Sequence, residues 1–251
     1  MPPTPDSDTA PPGPHYRELA PPAGLAEVLA CVWTSRSGDI APKRVVPDGC
    51  VDLMWMTDAA GSSLVVAGPD TEAHLTALPP GSTIAAVRFA PGTARAVLGV
   101  PLDAVRDARP DLVELWGRSA AGRLADDLAA ADRPELVLAA AVAARTTAPP
   151  DGLATHVAHT LGAAPRPRPV AGLADAVGLS ERQLLRRCLT AFGYGAKTLH
   201  RVLRFQAALA AARQGSDLAR VAHECGYADQ AHLARDVADL AGTTMTDLLA
   251  G

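Results

Sequence analysis

The sequence is poor in aromatic residues, lysine and cysteine, and it contains no long apolar run. Only 4% of its 251 residues are aromatic, and only Lys43 and Lys197 are lysines. Four cysteines without a CxxC pair argue against a disulfide scaffold and favour reduced thiols. The longest apolar run, Leu136 to Ala144, is about half the length of a membrane span. We therefore expect no membrane segment, and a start without basic and apolar regions predicts no secretory signal and a cytoplasmic protein.

Charge is unevenly distributed along the chain. The overall net charge is −4, yet residues 1–165 carry 12 basic and 19 acidic side chains, whereas residues 166–251 carry 11 basic and 8 acidic ones. From Arg182 to Arg213 there are seven basic residues and no acidic one. A positive block on an acidic protein indicates either a polyanion-binding surface or an ordinary solvated face.

A stretch of alternating prolines divides the chain. Residues 165–169 read Pro-Arg-Pro-Arg-Pro, a pattern that blocks helix formation and favours a stiff, extended spacer. With 48% hydrophobic residues, the chain can form two modest cores. The predicted division is a disordered Pro-rich lead-in over 1–15, an N-terminal domain over 16–162, a Pro/Arg linker over 163–169, and a C-terminal domain over 170–251.

Two segments of the C-terminal domain share one pattern, 48 residues apart. Apolar residues recur at i, i+3, i+4 and i+7 before Gly178 and again before Gly226, as in short amphipathic helices. Each glycine can end its helix, and Ser180 or Asp229 can cap the next one. A helix, a glycine turn and a second helix form a helix-turn-helix unit. The repeat therefore predicts two such units, with second helices over 180–190 and 229–240.

The exposed faces of these second helices carry side chains that suit base edges in a DNA major groove. Arginine can pair with guanine and glutamine with adenine, and leucine can contact the thymine methyl group. Between the units, the pattern predicts a linker helix whose basic edge suits phosphates. The alternative is that these are solvated helix faces. The candidate DNA-binding residues are Ser180, Arg182, Gln183, Leu185, Arg186 and Arg187 in the first unit, Lys197, Arg201 and Arg204 on the linker helix, and Gln230, His232 and Arg235 in the second unit.

The C-terminal third resembles the DNA-binding domain of AraC/XylS-type regulators. The residues that carry the resemblance are an LA…G-L-S-x-R-x-L-x-R core with Phe192-Gly193, an R-x-x-R-F run at 201–205, and an A-x-x-x-G-Y-x-D-Q unit ending at Gln230. The resemblance implies a bacterial transcription regulator, an activator or a repressor, whose two helix-turn-helix units are joined by a linker helix. It assigns base reading to Arg182, Leu185, Arg186, Gln230, His232 and Arg235.

The sequence departs from the family pattern, mainly in the second unit. Aromatic residues are usual where Cys188, Leu233 and Val237 stand, and basic residues are usual near the end of the second helix, where Asp236 and Asp239 stand. From residue 217 to 247 there are two basic and six acidic side chains. Acid that faces a phosphate backbone is repulsive. We therefore expect the first unit to dominate DNA binding.

The N-terminal half predicts an α+β domain ahead of the all-α DNA-binding domain. Residues 16–90 favour a small, mainly antiparallel sheet with an early helix near Leu25–Ala30, and residues 92–162 favour a helical layer. Asp48-Gly49 lies between two apolar runs and predicts a hairpin turn. Phrases such as VPDGCVDLMW resemble an uncharacterised domain found ahead of AraC-type domains. That resemblance implies effector sensing or dimerisation and fixes no ligand.

Two other functions remain open. Cys50 and Asp52, with Asp48 and His74, could belong to a thiol-dependent enzyme or sensor that carries a DNA-targeting tail. The acidic second unit also fits an interaction module with a weakened DNA-binding domain. We expect no enzymatic activity, cofactor or metal. The expected partner is double-stranded DNA, while RNA polymerase, a small-molecule effector and a second copy of the chain remain candidates.

Overall fold

The computed structural model describes residues 15–38, 42–164 and 169–250. Residues 1–14 of the predicted lead-in and residues 165–168 of the predicted linker lie outside this part.

The N-terminal domain is built on a five-stranded antiparallel sheet. Its strand order is β1-β2-β7-β4-β5, and a separate two-stranded sheet pairs β3 with β6. The strands are β1 (His15–Leu19), β2 (Leu29–Arg36), β3 (Lys43–Val45), β4 (Val51–Asp58), β5 (Gly61–Ala67), β6 (His74–Thr76) and β7 (Thr83–Phe89).

Alternation along the strands gives the five-stranded sheet two different faces. In β4, Val51, Leu53 and Trp55 are buried in the main core, while Asp52 and Met54 between them point to the other side. The register extends this pattern across the sheet, because residues that pair across neighbouring strands point to the same face. We call the side that carries Asp52 the outer face.

Helices cover the inner face of the sheet. Two of them start at clear sequence signals: α2 begins with a capping box formed by Asp111 and Glu114, and α4 begins with Pro134 in its first turn. The helices that follow the sheet are α1 (Ala94–Leu98), a 3₁₀ helix (Leu102–Ala104), α2 (Leu112–Trp116), α3 (Arg118–Ala129), α4 (Pro134–Arg145) and α5 (Gly152–Gly162).

The C-terminal domain contains the two predicted helix-turn-helix units. Gly178 and Gly226 both have positive φ, +67° and +70°, at the turn between the paired helices. Leucine and valine side chains of both units pack on the linker helix α8, whose 18 residues span about 27 Å. The helices are α6 (Val170–Ala176), α7 (Glu181–Phe192), α8 (Ala196–Arg213), α9 (Leu218–Glu224), α10 (Gln230–Ala241) and α11 (Met245–Ala250).

Two local predictions for the N-terminal domain are wrong. Asp48-Gly49 is a turn, with the Asp48 carboxylate accepting a hydrogen bond from the backbone N–H of Cys50 at 2.8 Å, but it does not join paired strands. The chain passes there from the two-stranded sheet into the five-stranded one, so β3 pairs with β6 instead of β4. The early helix near Leu25–Ala30 is reduced to one hydrogen-bonded turn, because strand β2 already starts at Leu29.

The predicted fold class, an α+β domain followed by an all-α domain, is confirmed. Among the residues that the structure describes, no helix combines the length and apolarity needed to cross a bilayer.

Candidate nucleic-acid interface

Helix α7 begins with a complete capping box that engages two of the predicted DNA-binding residues. Ser180 Oγ accepts a hydrogen bond from the backbone N–H of Gln183 at 3.3 Å, and Gln183 Oε1 accepts one from the backbone N–H of Ser180 at 2.9 Å. This reciprocal pair satisfies two donors that the start of a helix leaves open. Ser180 and Gln183 therefore fix the first turn of α7, which orients the residues behind it.

One face of α7 is exposed and basic. Leu184 and Cys188 are buried below it, whereas Arg182, Leu185 and Arg186 point outward. Leu185 keeps 47% of its surface exposed. Within the described parts of the chain, neither Arg182 nor Arg186 forms an ion pair. The face thus offers two unpaired guanidinium groups with an apolar side chain between them.

The N-terminal domain lies beside α7 and borders one edge of this face, at Arg186. A groove of about 430 Å³ separates them, with Gln183 and Arg186 on one side and Arg95 and Asp151 on the other. Asp151 lies 3.9 Å from Arg187, so Arg187 is turned toward the N-terminal domain. Arg95, an exposed residue of α1, extends the positive surface beyond the helix-turn-helix unit.

The basic edge predicted for the linker helix α8 is mostly neutralised inside the domain. Lys197 is exposed, but Arg201 is half-buried and paired with Asp236 and Asp239. Arg204 is only 8% exposed, and its guanidinium lies 4.0 Å from the centre of the Tyr227 ring. A phosphate on the surface can therefore reach Lys197 and not Arg204.

Asp236 is the centre of this buried network. It receives hydrogen bonds from Arg201, from Arg204 at 3.1 Å and from the Tyr227 hydroxyl at 2.9 Å. Burial by itself would raise the pKa of Asp236, but these donors outweigh it and hold the pKa below its usual value. Asp236 thus carries a charge that is compensated within the protein and not turned toward DNA.

Helix α10, the second predicted reading helix, is capped at its N-terminus by Asp229. The Asp229 carboxylate accepts a hydrogen bond from the backbone N–H of His232 at 2.6 Å. The His232 ring packs edge-on against Tyr227, with 5.2 Å between ring centres. Gln230 and Arg235 are exposed, whereas His232 is half-buried. The exposed face of α10 therefore carries fewer long polar side chains than that of α7.

Three of the residues considered for thiol chemistry, Asp48, Cys50 and Asp52, line one cavity, where the environment of Cys50 favours the protonated thiol. Burial, and secondarily the nearby Asp48, raises the pKa of the Cys50 thiol well above its ordinary value. A protonated thiol is a poor nucleophile. His74 lies in the two-stranded sheet, opposite Val45. Among the described residues, no three His, Cys, Asp or Glu side chains are grouped so that they could hold a metal ion.

Sequence reasoning missed the compensating role of the acidic residues in the second unit. It counted Asp236 and Asp239 as charges facing DNA, although both are paired with arginines of α8. The spacing of the two aspartates and of Arg201 and Arg204, each i, i+3 on its own helix, was a signal for such a pairing.

Two family models match the chain. Residues 17–111 match a domain of unknown function (DUF6597), and residues 173–251 match a helix-turn-helix domain. No curated protein matches the chain significantly.

Several solved structures are similar to the chain. A probable AraC family transcriptional regulator from Rhodopseudomonas palustris is 23% identical over 40% of this chain and 96% of its own, with a TM-score of 0.35. ToxT from Vibrio cholerae is 9% identical over 94% of this chain and 98% of its own, with a TM-score of 0.47. ToxT bound to an unsaturated fatty acid is 12% identical over 88% and 94%, with a TM-score of 0.43.

Proposed function

We propose that the chain is a DNA-binding transcription regulator whose helix-turn-helix domain is of the AraC type, and that α7 is its main reader of sequence. In this proposal, Arg182, Leu185 and Arg186 contact base edges in the major groove. Helix α10 contributes a second, weaker contact through Gln230 and Arg235. We refer to α7 and α10 as the reader helices.

The observation that carries the proposal is the exposed, unpaired face of α7. Arginine forms two hydrogen bonds with guanine, and a good pair of this kind discriminates between bases by about 1–3 kcal/mol. Arg182 and Arg186 lie four residues apart, so they share one side of the helix. The capping box and the buried Leu184 hold that side in a fixed orientation. Preorganisation of this kind favours specific contacts over diffuse ones.

In this proposal α10 binds DNA more weakly than α7. The reason is not the repulsion between acidic residues and DNA that the charge count indicates. Asp236 does not repel DNA, because its charge is matched by Arg201 and Arg204. Instead, the network withdraws two arginines that could have contacted phosphates. The second unit then has few cations of its own, Arg220 and Arg235, and Lys197 is the residue of α8 that we assign to a phosphate.

The proposal also covers where the protein works and which partners other than DNA it binds. A regulator that binds promoter DNA works in the bacterial cytoplasm. An N-terminal domain with its own core suits regulation by a small molecule or by pairing with a second copy of the chain, and contact with RNA polymerase follows if the protein activates transcription.

The test is a comparison of reader-helix variants on a selected site. The purified full chain would select its preferred duplex from a random library, and binding of Arg186→Ala and Arg235→Ala to that duplex would then be measured. We expect Arg186→Ala to lower the affinity about tenfold or more and Arg235→Ala to have a smaller effect. Arg123→Ala, on the exposed side of α3, is the matched control. Failure to select any duplex would contradict specific reading, and equal losses at both positions would contradict the dominance of α7.

A further inference from the structure

One arginine of the N-terminal domain, Arg95, lies beside the reader helix α7. It is the only charged residue of α1, and its side chain is exposed. Among the residues that the structure describes, none forms an ion pair or a hydrogen bond with its guanidinium. A single exposed arginine is common on any protein surface. The significance of Arg95 therefore depends on the groove into which it projects.

The groove between α1 and α7 contains more cations than carboxylates. Among the described residues, its lining includes Arg95, Arg186 and Arg187 but only one acidic residue, Asp151. The Asp151 carboxylate accepts hydrogen bonds from two backbone N–H groups at the start of α5, at 3.0 and 3.4 Å, and lies 3.9 Å from Arg187. Glu181, the only acidic residue of α7, is not part of the lining. Arg95 and Arg186 are therefore left without a counter-charge on the two walls of the groove.

The two walls of the groove are fixed relative to each other. Gly92, just before α1, packs so closely against α7 that a Cβ there would lie 2.7 Å from the Phe192 ring. Arg106 Nη1 donates a hydrogen bond to the carbonyl oxygen of Gly193, which ends α7, at 3.0 Å. A Cβ on Gly193 would also lie 3.1 Å from a carbonyl oxygen of the 3₁₀ helix. The N-terminal domain thus holds the end of α7, and Arg95 keeps a set position beside the reader face.

Helix α1 is anchored on its other side in the core of the N-terminal domain. Val97 and Leu98 are buried there. The hydroxyl of Thr93, just before the helix, donates a hydrogen bond to the carbonyl oxygen of Val28 at 2.6 Å. Arg95 projects from the remaining surface of α1 into the groove.

The dimensions of DNA indicate where phosphates meet a reader helix. The major groove is about 12 Å wide and an α-helix with its side chains is about 10–12 Å across, so the helix fills the groove. The two sugar-phosphate backbones then run along the two flanks of the helix. Gln183 and Leu185 mark these flanks on α7, because two positions correspond to about 200° around the helix axis.

Each flank of α7 leads to one unpaired cation. On one side, Leu185 lies against Gly195, where a Cβ would be 3.1 Å from its methyl carbon, and exposed Lys197 follows two residues later on α8. On the other side, Gln183 borders the groove that holds Arg95. The linker helix therefore supplies a cation for one backbone, and the N-terminal domain supplies one for the other.

We propose that Arg95 binds a phosphate of the DNA backbone, so that the DNA interface extends onto the N-terminal domain. This inference rests on the proposed reading of a major groove by α7. One backbone of the duplex lies at Lys197, and the other enters the groove between α7 and α1. Phosphate contacts fix the register and orientation of a protein on a duplex but carry no sequence information. Arg95 therefore adds affinity and orients α7 without a preference for sequence.

The first experiment measures the salt dependence of DNA binding by the full chain, with the selected duplex and a scrambled one. Loss of one phosphate contact makes the plot of log affinity against log salt shallower by about 0.9. We expect this change in Arg95→Ala, with an equal, severalfold loss of affinity for both duplexes, and a largely preserved slope in Arg95→Lys. Thermal unfolding of Arg95→Ala should match the wild type, because the guanidinium has no partner among the described residues.

Arg123→Ala is the matched control, because it removes the same charge from the N-terminal domain at an exposed position outside the groove. It should leave the slope unchanged. Equal slopes for Arg95→Ala and Arg123→Ala would overturn the proposal, as would a loss confined to the selected duplex.

The second experiment locates the phosphate. A neutral methylphosphonate would replace each phosphate of the selected duplex in turn, and binding of the wild type, Arg95→Ala and Lys197→Ala would be measured. We expect one or two adjacent positions that weaken binding by the wild type and have no effect on Arg95→Ala. Lys197→Ala should lose its sensitivity on the opposite strand. Additive effects of Arg95→Ala and the methylphosphonate at every position would overturn the contact.

The two proposals fail in different ways. If the chain binds DNA but selects no duplex, sequence reading by α7 is wrong, and the slope on scrambled DNA still decides whether Arg95 contacts a phosphate. If the selected duplex is bound with the same slope by the wild type and Arg95→Ala, sequence reading stands and the Arg95 contact is wrong. Absence of any DNA binding would overturn both.

Discussion

Arg204 on the linker helix and Asp236 on the second reader helix form a buried ion pair, with 3.1 Å between Nη2 and Oδ2. Both side chains are 7% exposed. Tyr227 closes the pair from a third side, with its hydroxyl on Asp236 and its ring against Arg204. The orientation of α10 on α8 therefore depends on a charge that has no access to solvent.

Removal of Asp236 should destabilise the domain far more than removal of its neighbour Asp239. Asp236→Ala leaves Arg204 buried without its partner, and breaking a buried pair in this way costs about 3–5 kcal/mol. Asp239 is 69% exposed and pairs with Arg201 at the surface, so Asp239→Ala should cost less than about 1 kcal/mol. Urea unfolding of the two variants and the wild type measures both free energies. Similar losses for the two would contradict the central place of Asp236.

The network also predicts how stability responds to acid. The pKa of Asp236 is lower in the folded protein than in the unfolded chain, where aspartate has a pKa of about 3.9. Its contribution is therefore fully present above that value and is lost as the pH falls through the folded pKa. As the pH falls from about 5 to about 2, the free energy of unfolding should fall more steeply in the wild type than in Asp236→Asn. Parallel curves would show that Asp236 has the same pKa in both states.

Lys197 should contribute affinity without sequence preference. A lysine on a phosphate releases a counterion, so Lys197→Ala should make the plot of log affinity against log salt shallower by about 0.9. The loss should be the same for the selected duplex and for a scrambled one. Arg123→Ala should leave the slope unchanged. A loss confined to the selected duplex would place Lys197 at a base instead.

Gly68 should tolerate no side chain, in contrast to Gly122. A Cβ on Gly68 would lie 1.7 Å from the carbonyl oxygen of Val105, which is backbone and cannot move aside. Gly68→Ala should therefore cost about 3 kcal/mol or more. Gly122 is exposed within α3 and has open space around it, so Gly122→Ala should stabilise the protein by about 0.5–1 kcal/mol. Thermal unfolding compares the two, and equal effects would contradict the close packing at Gly68.

Local patterns predicted the helices well, because their signals lie within a few residues of each other. The helical layer predicted over residues 92–162 contains α1 to α5, which lie between Ala94 and Gly162. Strand pairing could not be predicted from such local patterns, because paired strands can be far apart in the sequence. Asp48-Gly49 carries a hairpin signal, yet β3 pairs with β6 further along the chain, where Val45 lies opposite His74, 29 residues away.

The sequence predicts the site residues that are exposed because of their position in the helical repeat. It does not predict those whose exposure depends on contacts with other helices. The outward face of α7 follows from the spacing of Leu184 and Cys188. The burial of Arg204 does not follow from spacing, because it depends on contacts with Asp236 and Tyr227 of the second unit. In the same way, the bond from Arg44 to Ala241 joins residues 197 positions apart, and no local pattern contains it.

Helix α5 gives the first helix-turn-helix unit part of its interior. Ala154, Val157 and Leu161 lie in the same apolar cluster as Leu184 and Leu199, although they precede the proline-rich stretch. A shortened protein that starts after that stretch would present this cluster to water and should aggregate. An exchange of N-terminal domains between proteins of this architecture should therefore be joined ahead of Asp151, which caps α5, so that α5 stays with the helix-turn-helix units.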